Sequence, residues 1–148
     1  MSKERFKVIP AVYLILQKDN QILLLRRYNT GYEDGNYSLP AGHVDGSESF
    51  TQAMIREAYE EAGVKLNSKN IEVVHVQHRC CENFINERVD VFVKASNWEG
   101  ELKNKEPHRC DDLSWFDINN LPENIIPCVR YAIENILKNN FYSEHGWT

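Results

Sequence analysis

The sequence predicts a mixed α/β sandwich, and three observations support it. Apolar runs that read as strands lie on both sides of a mid-chain amphipathic helix, and a second helical pattern closes the chain. The 148 residues form most simply one domain, 1–148, long enough for a real hydrophobic core. A composition of 42% apolar and 26% charged residues is that of an ordinary soluble globular protein.

In chain order, VIPAVYLILQKDNQILLLRR reads as two strands around the turn-forming Lys18-Asp19-Asn20, hence a hairpin. RYNTGYEDGNYSLPAGHVDGSES follows as a long loop region with one short strand, the kind of segment that often carries function in a small domain. A helix starts near Ser49, whose hydroxyl can cap while Gln52 reaches back. Gly63 stops it where a left-handed residue is wanted. IEVVHVQHRCC and ERVDVFVKAS alternate as a pair of strands, SNWEGELKNKEPHRCDD is a polar loop, and LSWFDI is a further strand. Ile126, Val129, Ile133, Ile136 and Leu137 fall at helical spacing, which places the last helix from Asn124 or Pro127 to Lys138. NNFYSEHGWT reads as a polar tail.

A formal net charge of −5 argues against general nucleic-acid binding through a basic surface, and no stable nucleic-acid complex is expected. A nucleotide ligand remains open, because a metal can hold its phosphates locally. Pro10 interrupts the short N-terminal apolar run and no small-residue cleavage site follows. No apolar run approaches the roughly 20 residues of a membrane span. Adjacent Cys80 and Cys81 are awkward to bridge, and with Cys110 and Cys128 they lack the spacing of a secreted framework. Reduced thiols and a cytoplasmic location are the expectation.

The mid-chain helix contains an electrostatic fault. At about 100° per residue, Met54, Ile55, Ala58 and Ala62 form a core-facing stripe, while Glu57, Glu60 and Glu61 share a separate arc. Like charges three and four apart destabilise a helix by about 0.2–0.5 kcal/mol per pair. The macrodipole also disfavours anions in the C-terminal half. A solvated acidic face is the plain alternative. A divalent cation would convert the repulsion into coordination, and clustered carboxylate oxygens suit Mg²⁺, with Mn²⁺ a second choice.

Reading outward from the glutamates, Gly42 is followed after five residues by Glu48, and after seven more by Arg56-Glu57-Ala58-Tyr59-Glu60-Glu61-Ala62-Gly63-Val64. This pattern, residues 42–64, resembles the Nudix box at every defined position. The SLPAGH lead-in and LSWFDINNLP close are similar to small members of that family. The resemblance implies an α/β/α sandwich with a mixed sheet and a catalytic loop-helix. It also implies hydrolysis of a nucleoside diphosphate joined to another moiety.

Under the resemblance, Glu57, Glu60 and Glu61 match the positions that bind the catalytic cation, and the Gly42 carbonyl matches a frequent main-chain ligand. Glu48 and Arg56 match the pair that orients the loop and helix; on residue chemistry alone they could equally serve the helix terminus and Glu60. The general base is Glu57, Glu60, or a glutamate of a later loop, for which Glu106 stands first and Glu101 second.

Substrate contacts are expected from Arg27 rather than Arg26, since strand alternation turns one of them inward. Tyr32, Tyr37 and Phe84 offer faces for a base. His43 stands where Gly-Gly is common in the family. The short chain looks more like the MutT-type nucleoside triphosphate pyrophosphohydrolases than like hydrolases of ADP-ribose or nucleotide sugars. Two rivals are a regulatory Nudix module without turnover and a zinc site built from His75, His78, Cys80, Cys81, His108 and Cys110. Dimers are common among similar proteins, so a homodimer is a further expectation by analogy.

Overall fold

The first hairpin closes at its turn and then comes apart. Strands β1 (Ile9–Lys18) and β2 (Gln21–Arg27) meet through Asp19-Asn20, with Asp19 at φ 55. They pair in register at Gln17↔Ile22 and Lys18↔Gln21. Beyond that point β1 runs parallel to β6 (Arg88–Ala95) on one edge. Its other edge takes β4 (Ala41–His43), antiparallel, through Ala11, Val12 and Tyr13. β2 instead takes the two-residue β3 (Tyr37–Ser38) and the long β7 (Cys110–Asp117). The computed structural model describes residues 3–80 and 87–147.

Among these residues the strands make one mixed sheet in the order β3-β2-β1-β6-β5-β8, with β4 on β1 and β7 on β2. Helix α1 (Phe50–Ala62) covers one face, where Ala53, Met54, Ala58 and Ala62 meet Val12, Leu14, Val91 and Val93. Helix α2 (Pro127–Leu137) covers the other, where Val129, Ala132 and Ile133 meet Ile15, Leu24 and Phe92. Both sheet faces are buried, which is why LILQ and ILLL read as continuous apolar runs rather than alternating ones. Each fully buried aliphatic side chain contributes about 1.5–3 kcal/mol of transfer free energy. Among the described residues no helix is long and apolar enough to cross a membrane.

Helix α1 forms as its ends dictate. Ser49 Oγ accepts from the Gln52 backbone N–H at 3.1 Å, and Gln52 Oε1 accepts from the Ser49 N–H at 2.8 Å. Gly63 ends the helix at φ 72, where a Cβ would be strained. The apolar stripe is wider than expected: Ala53 is fully buried although it lies on the glutamate side of the wheel, because α1 rests on β4 as well as β1. Ile55 is only partly buried.

Two elements differ from expectation. β7 begins at Cys110, ahead of the apolar LSWF, because Arg26 and Arg27 of β2 supply backbone partners there. The predicted polar tail contains β8 (Tyr142–His145), which runs parallel to β5 (Ile71–Arg79). Hydrogen bonding rather than apolar alternation anchors it. The His75 Nδ1–H donates to the Asn140 carbonyl at 2.8 Å, so Nε2 is left to accept from the buried Ser143 hydroxyl at 2.7 Å. Gln77 Nε2 also donates to Ser143 Oγ, at 3.2 Å.

Replacing Ser143 with Ala orphans the His75 acceptor in a buried place, which costs about 1–3 kcal/mol. Urea unfolding of Ser143→Ala should therefore show a lowered midpoint at unchanged slope.

Candidate active site

The gap between the splayed strands is where the site is built. Residues 37–43 run through it, and Leu14 N–H donates to the Pro40 carbonyl at 2.8 Å while Val44 N–H donates to Pro10 at 3.1 Å. This ladder fixes Gly42 directly beneath α1. A Cβ placed on residue 42 would lie 2.1 Å from Glu57 Cδ, so the Glu57 carboxylate fills the space a side chain would need.

Arg56 ties the loop to the helix. Its Nε and Nη2 donate to the two oxygens of Glu48 at 3.1 and 2.7 Å, a bidentate pair. Nη1 donates to Glu57 Oε1 at 2.8 Å and to Glu60 Oε2 at 3.4 Å, and Nη2 reaches the His43 carbonyl at 3.3 Å. Asp45 N–H donates to Glu48 Oε1 at 2.8 Å, closing the loop on itself. The guanidinium holds the Glu48 carboxyl below the usual range, and Glu48 in turn raises the Arg56 pKa.

The three helix glutamates are not equivalent. Glu60 is half exposed and, among the described residues, pairs with Arg56. Glu57 is largely covered, and burial pushes its pKa up against the pull of Arg56. Glu61 has no cation beside it among the described residues; it accepts a long 3.4 Å hydrogen bond from Ala41 N–H. Burial, then the nearby Glu57 and Glu106, push its carboxyl well above the usual range.

Glu106 reaches this spot because its loop docks on the end of α1. The carbonyls of Glu61 and Ala62, left over at the helix C-terminus, accept from Lys105 N–H at 3.1 Å and Lys103 N–H at 2.9 Å. Asn104 then pins the turn, accepting from Glu106 N–H at 3.0 Å and donating to the Cys110 carbonyl at 2.7 Å. Glu61 and Glu106 face a cavity of about 120 Å³ together with Arg27, Ala41 and Arg109. Glu101 is exposed and does not line it.

A second cavity of about 290 Å³ shares Arg27 and Ala41 with the first, and is lined by Gly42, Tyr13, Tyr32, His43, Arg79 and Arg88. Arg27 thus borders both cavities. Its Nε donates to the Tyr32 carbonyl at 2.6 Å and its guanidinium lies 5.2 Å from the Tyr32 ring centre. Arg26 turns away to Asp111 at 2.7 Å. The His43 ring accepts from Arg88 Nη1 at 2.7 Å. Arg79, Arg88 and Asp90 were not anticipated. Charged residues at inward-facing strand positions are a signal for such groups, but only after the strand faces are assigned.

Tyr37 is a correction. It is buried against Phe116, and its hydroxyl donates to Asp112, so it belongs to the core and presents no face to a base. Phe84 and Cys81 lie outside the described residues. Of the ligands of the zinc alternative, His75 has committed both ring nitrogens. Among the described residues no three His, Cys, Asp or Glu side chains already stand at the spacing that would hold a metal ion.

The glutamates of α1 are no exception. The donor set nonetheless suits Mg²⁺, which is held by one or two carboxylates with water and substrate phosphates rather than by a closed protein cage. Glu61 and Glu106 facing one cavity, without an ion pair to either among the described residues and beside the half-buried main chain of Gly42, have that character.

A family model described as the NUDIX domain matches residues 7–136. An ADP-ribose pyrophosphatase of Methanocaldococcus jannaschii is 31% identical over 99% of this chain and 82% of that protein. An NAD-capped RNA hydrolase NudC of Chromobacterium violaceum is 28% identical over 88% of this chain, which spans about half of that longer relative (48%). The crystal structure of a MutT NUDIX hydrolase from Burkholderia pseudomallei superimposes with a TM-score of 0.79 at 28% identity, covering 87% of this chain and 98% of that one.

Two outcomes are expected of the metal-free and metal-loaded protein. Gly42→Ala should displace the Glu57 carboxylate and weaken Mn²⁺ binding about tenfold or more by calorimetry. Glu61 takes up its proton more readily folded than unfolded, so its contribution to stability is complete below the ordinary glutamate range and is lost as pH rises. Glu61→Gln should therefore melt higher than wild type without metal, by a margin that grows from pH 5 to pH 8, and should lose the stabilisation that Mg²⁺ gives wild type.

Proposed function

The chain belongs to the Nudix hydrolase family, and on that premise we propose that it cleaves the diphosphate linkage of a nucleoside diphosphate derivative, with Mg²⁺ held by Glu57, Glu60, Glu61 and the Gly42 carbonyl. The observation that carries this reading is the placement of Glu61 and Glu106 on one small cavity beside Gly42, which Arg27 and Arg109 also line. When bound, the metal neutralises the diphosphate and presents a water to phosphorus.

The chain's own residues then divide the work. Arg56 and Glu48 hold the loop and helix in register, so that the Gly42 carbonyl and the glutamates address one place. Glu106, on a loop fixed to the helix end, faces the cavity from the opposite wall and takes the proton of the attacking water. Glu57 already accepts from Arg56 Nη1, and Glu60 is half exposed, so Glu106 has the stronger claim to that role. Arg27 and Arg109 meet the charge that develops on the phosphoryl oxygens.

As substrate we favour a nucleoside or deoxynucleoside triphosphate, hydrolysed to the monophosphate and pyrophosphate. A second reading, ADP-ribose or another nucleoside diphosphate joined to a sugar, is favoured by the name and near full-length match of the archaeal relative. The intact motif over 42–64 favours turnover over a purely regulatory module.

A panel of nucleoside triphosphates, dinucleotides and nucleotide sugars with Mg²⁺ or Mn²⁺ tests the proposal. Phosphate or pyrophosphate release should be found for at least one class. Glu60→Gln or Glu61→Gln should lower it about a hundredfold or more, as loss of a metal ligand exceeds loss of a group behind one. Silence across the panel would sink the enzyme reading.

A further inference from the structure

The larger cavity contains a second electrostatic fault, of opposite sign to the first. Arg79 on β5 and Arg88 on β6 are direct cross-strand partners. Paired residues of antiparallel strands share a face, and like charges placed so are destabilising. Both line the cavity, with Arg27 opposite. Three guanidinium groups therefore converge where, among the described residues, one carboxylate answers them.

That carboxylate is Asp90, and it answers incompletely. It accepts from Arg79 Nε at 2.8 Å through Oδ2, while Oδ1 is buried without a partner among the described residues. A bidentate pair would have consumed the fork of Arg79. Instead, among the described residues, its Nη1 and Nη2 reach only phenol oxygens, Tyr32 and Tyr13, each at a long 3.4 Å. Arg79 itself is buried, 6% exposed, so water does little to offset its charge. Arg88 donates to the neutral acceptor nitrogen of His43. Ala11, small and in register with both Asp90 and His43, leaves the space open above the sheet.

The scissile diphosphate does not require these groups. On the proposed reading its charge would be met at the neighbouring cavity by Arg27 and Arg109 and by the cation the glutamates would hold. A neutral sugar needs hydrogen bonds rather than three buried or half-buried cations, and a base needs an aromatic face, for which Tyr32 alone would serve.

We propose that the Arg79–Arg88 cavity is a second phosphate subsite, holding an anionic phosphoryl group that the substrate carries beyond the two phosphoryl groups of the bond being cleaved. The terminal phosphate of a nucleoside triphosphate, or a phosphate ester on the sugar of a nucleoside diphosphate sugar, has that chemistry. The inference rests on the reading that Glu57, Glu61 and Glu106 serve the scissile linkage.

The test has a binding arm and a turnover arm, on the full chain. In EDTA, calorimetric titration with inorganic pyrophosphate should show binding that Arg88→Gln weakens about tenfold, the loss of one charge-assisted contact. With Mg²⁺, kcat/KM should be compared for one nucleoside as its triphosphate, its diphosphate and its diphosphate joined to a neutral sugar. The wild type should prefer the triphosphate, and Arg88→Gln should cut that preference about tenfold, through KM. Arg79→Lys, which keeps the buried charge, should show the same direction if Arg88→Gln fails to fold. Equal losses on all three substrates would place the scissile phosphates in this cavity and overturn the proposal, as would pyrophosphate binding indifferent to Arg88. Arg88-dependent binding with no turnover of any nucleotide would instead sink the hydrolase reading and leave the subsite standing.

Discussion

The site depends on one guanidinium. Arg56 sits one residue before Glu57 and four before Glu60, and it spans the loop to Glu48, eight residues back. Without it, α1 would carry mutually repelling carboxylates in the half of the helix where the macrodipole already disfavours them. With it, the repulsion is offset on Glu48, Glu57 and Glu60, and the loop from Gly42 to Glu48 cannot swing away from the helix. Glu61 is the one that Arg56 does not reach. The uncompensated charge is therefore concentrated on the buried glutamate that faces a cavity, which is where a cation would have the largest effect.

That arrangement also needs room, and the room comes from the backbone. A hairpin paired along its whole length would leave no gap for residues 37–43. Because β1 and β2 separate after two pairs, β4 can bond to β1 inside the gap and bring Gly42 under the helix. The separation is sustained because each strand finds a better partner elsewhere: β6 runs along eight residues of β1, and β7 along most of β2. The opposite wall is built by a different economy of hydrogen bonds, in which leftover carbonyls at the end of α1 recruit the loop that carries Glu106.

These relations explain what could be read from the sequence. Helix α1 was legible to its caps because Ser49, Gln52 and Gly63 act on near neighbours, and the spacing of Gly42, Glu48 and Arg56 reports a contact within one loop and helix. Tyr37 was misplaced because its aromatic character says nothing about which side of a two-residue strand it takes; its neighbour Asp112 lies far along the chain. β8 was missed because its anchor is a buried histidine 68 residues away from Ser143, and a polar strand carries no apolar period. Arg79, Arg88 and Asp90 acquire meaning only from cross-strand register, which no single segment encodes.

The two charged clusters lie on either side of β4 and yet do not neutralise each other. Ala41 borders both cavities, but among the described residues no ion pair joins Arg27, Arg79 or Arg88 to Glu57, Glu61 or Glu106. Direct pairing would have been the simple remedy for both faults, and it would have closed the site. The backbone of β4 stands between the Arg79–Arg88 pair and Glu57, with Gly42 too tightly packed to carry any side chain across, while Arg27 is committed to Thr30 and Tyr32. Each cluster is thus held in its unfavourable state by the fold, one suited to a cation and the other to an anion. A phosphorylated ligand with its metal is the kind of molecule that brings both charges at once, in adjacent positions.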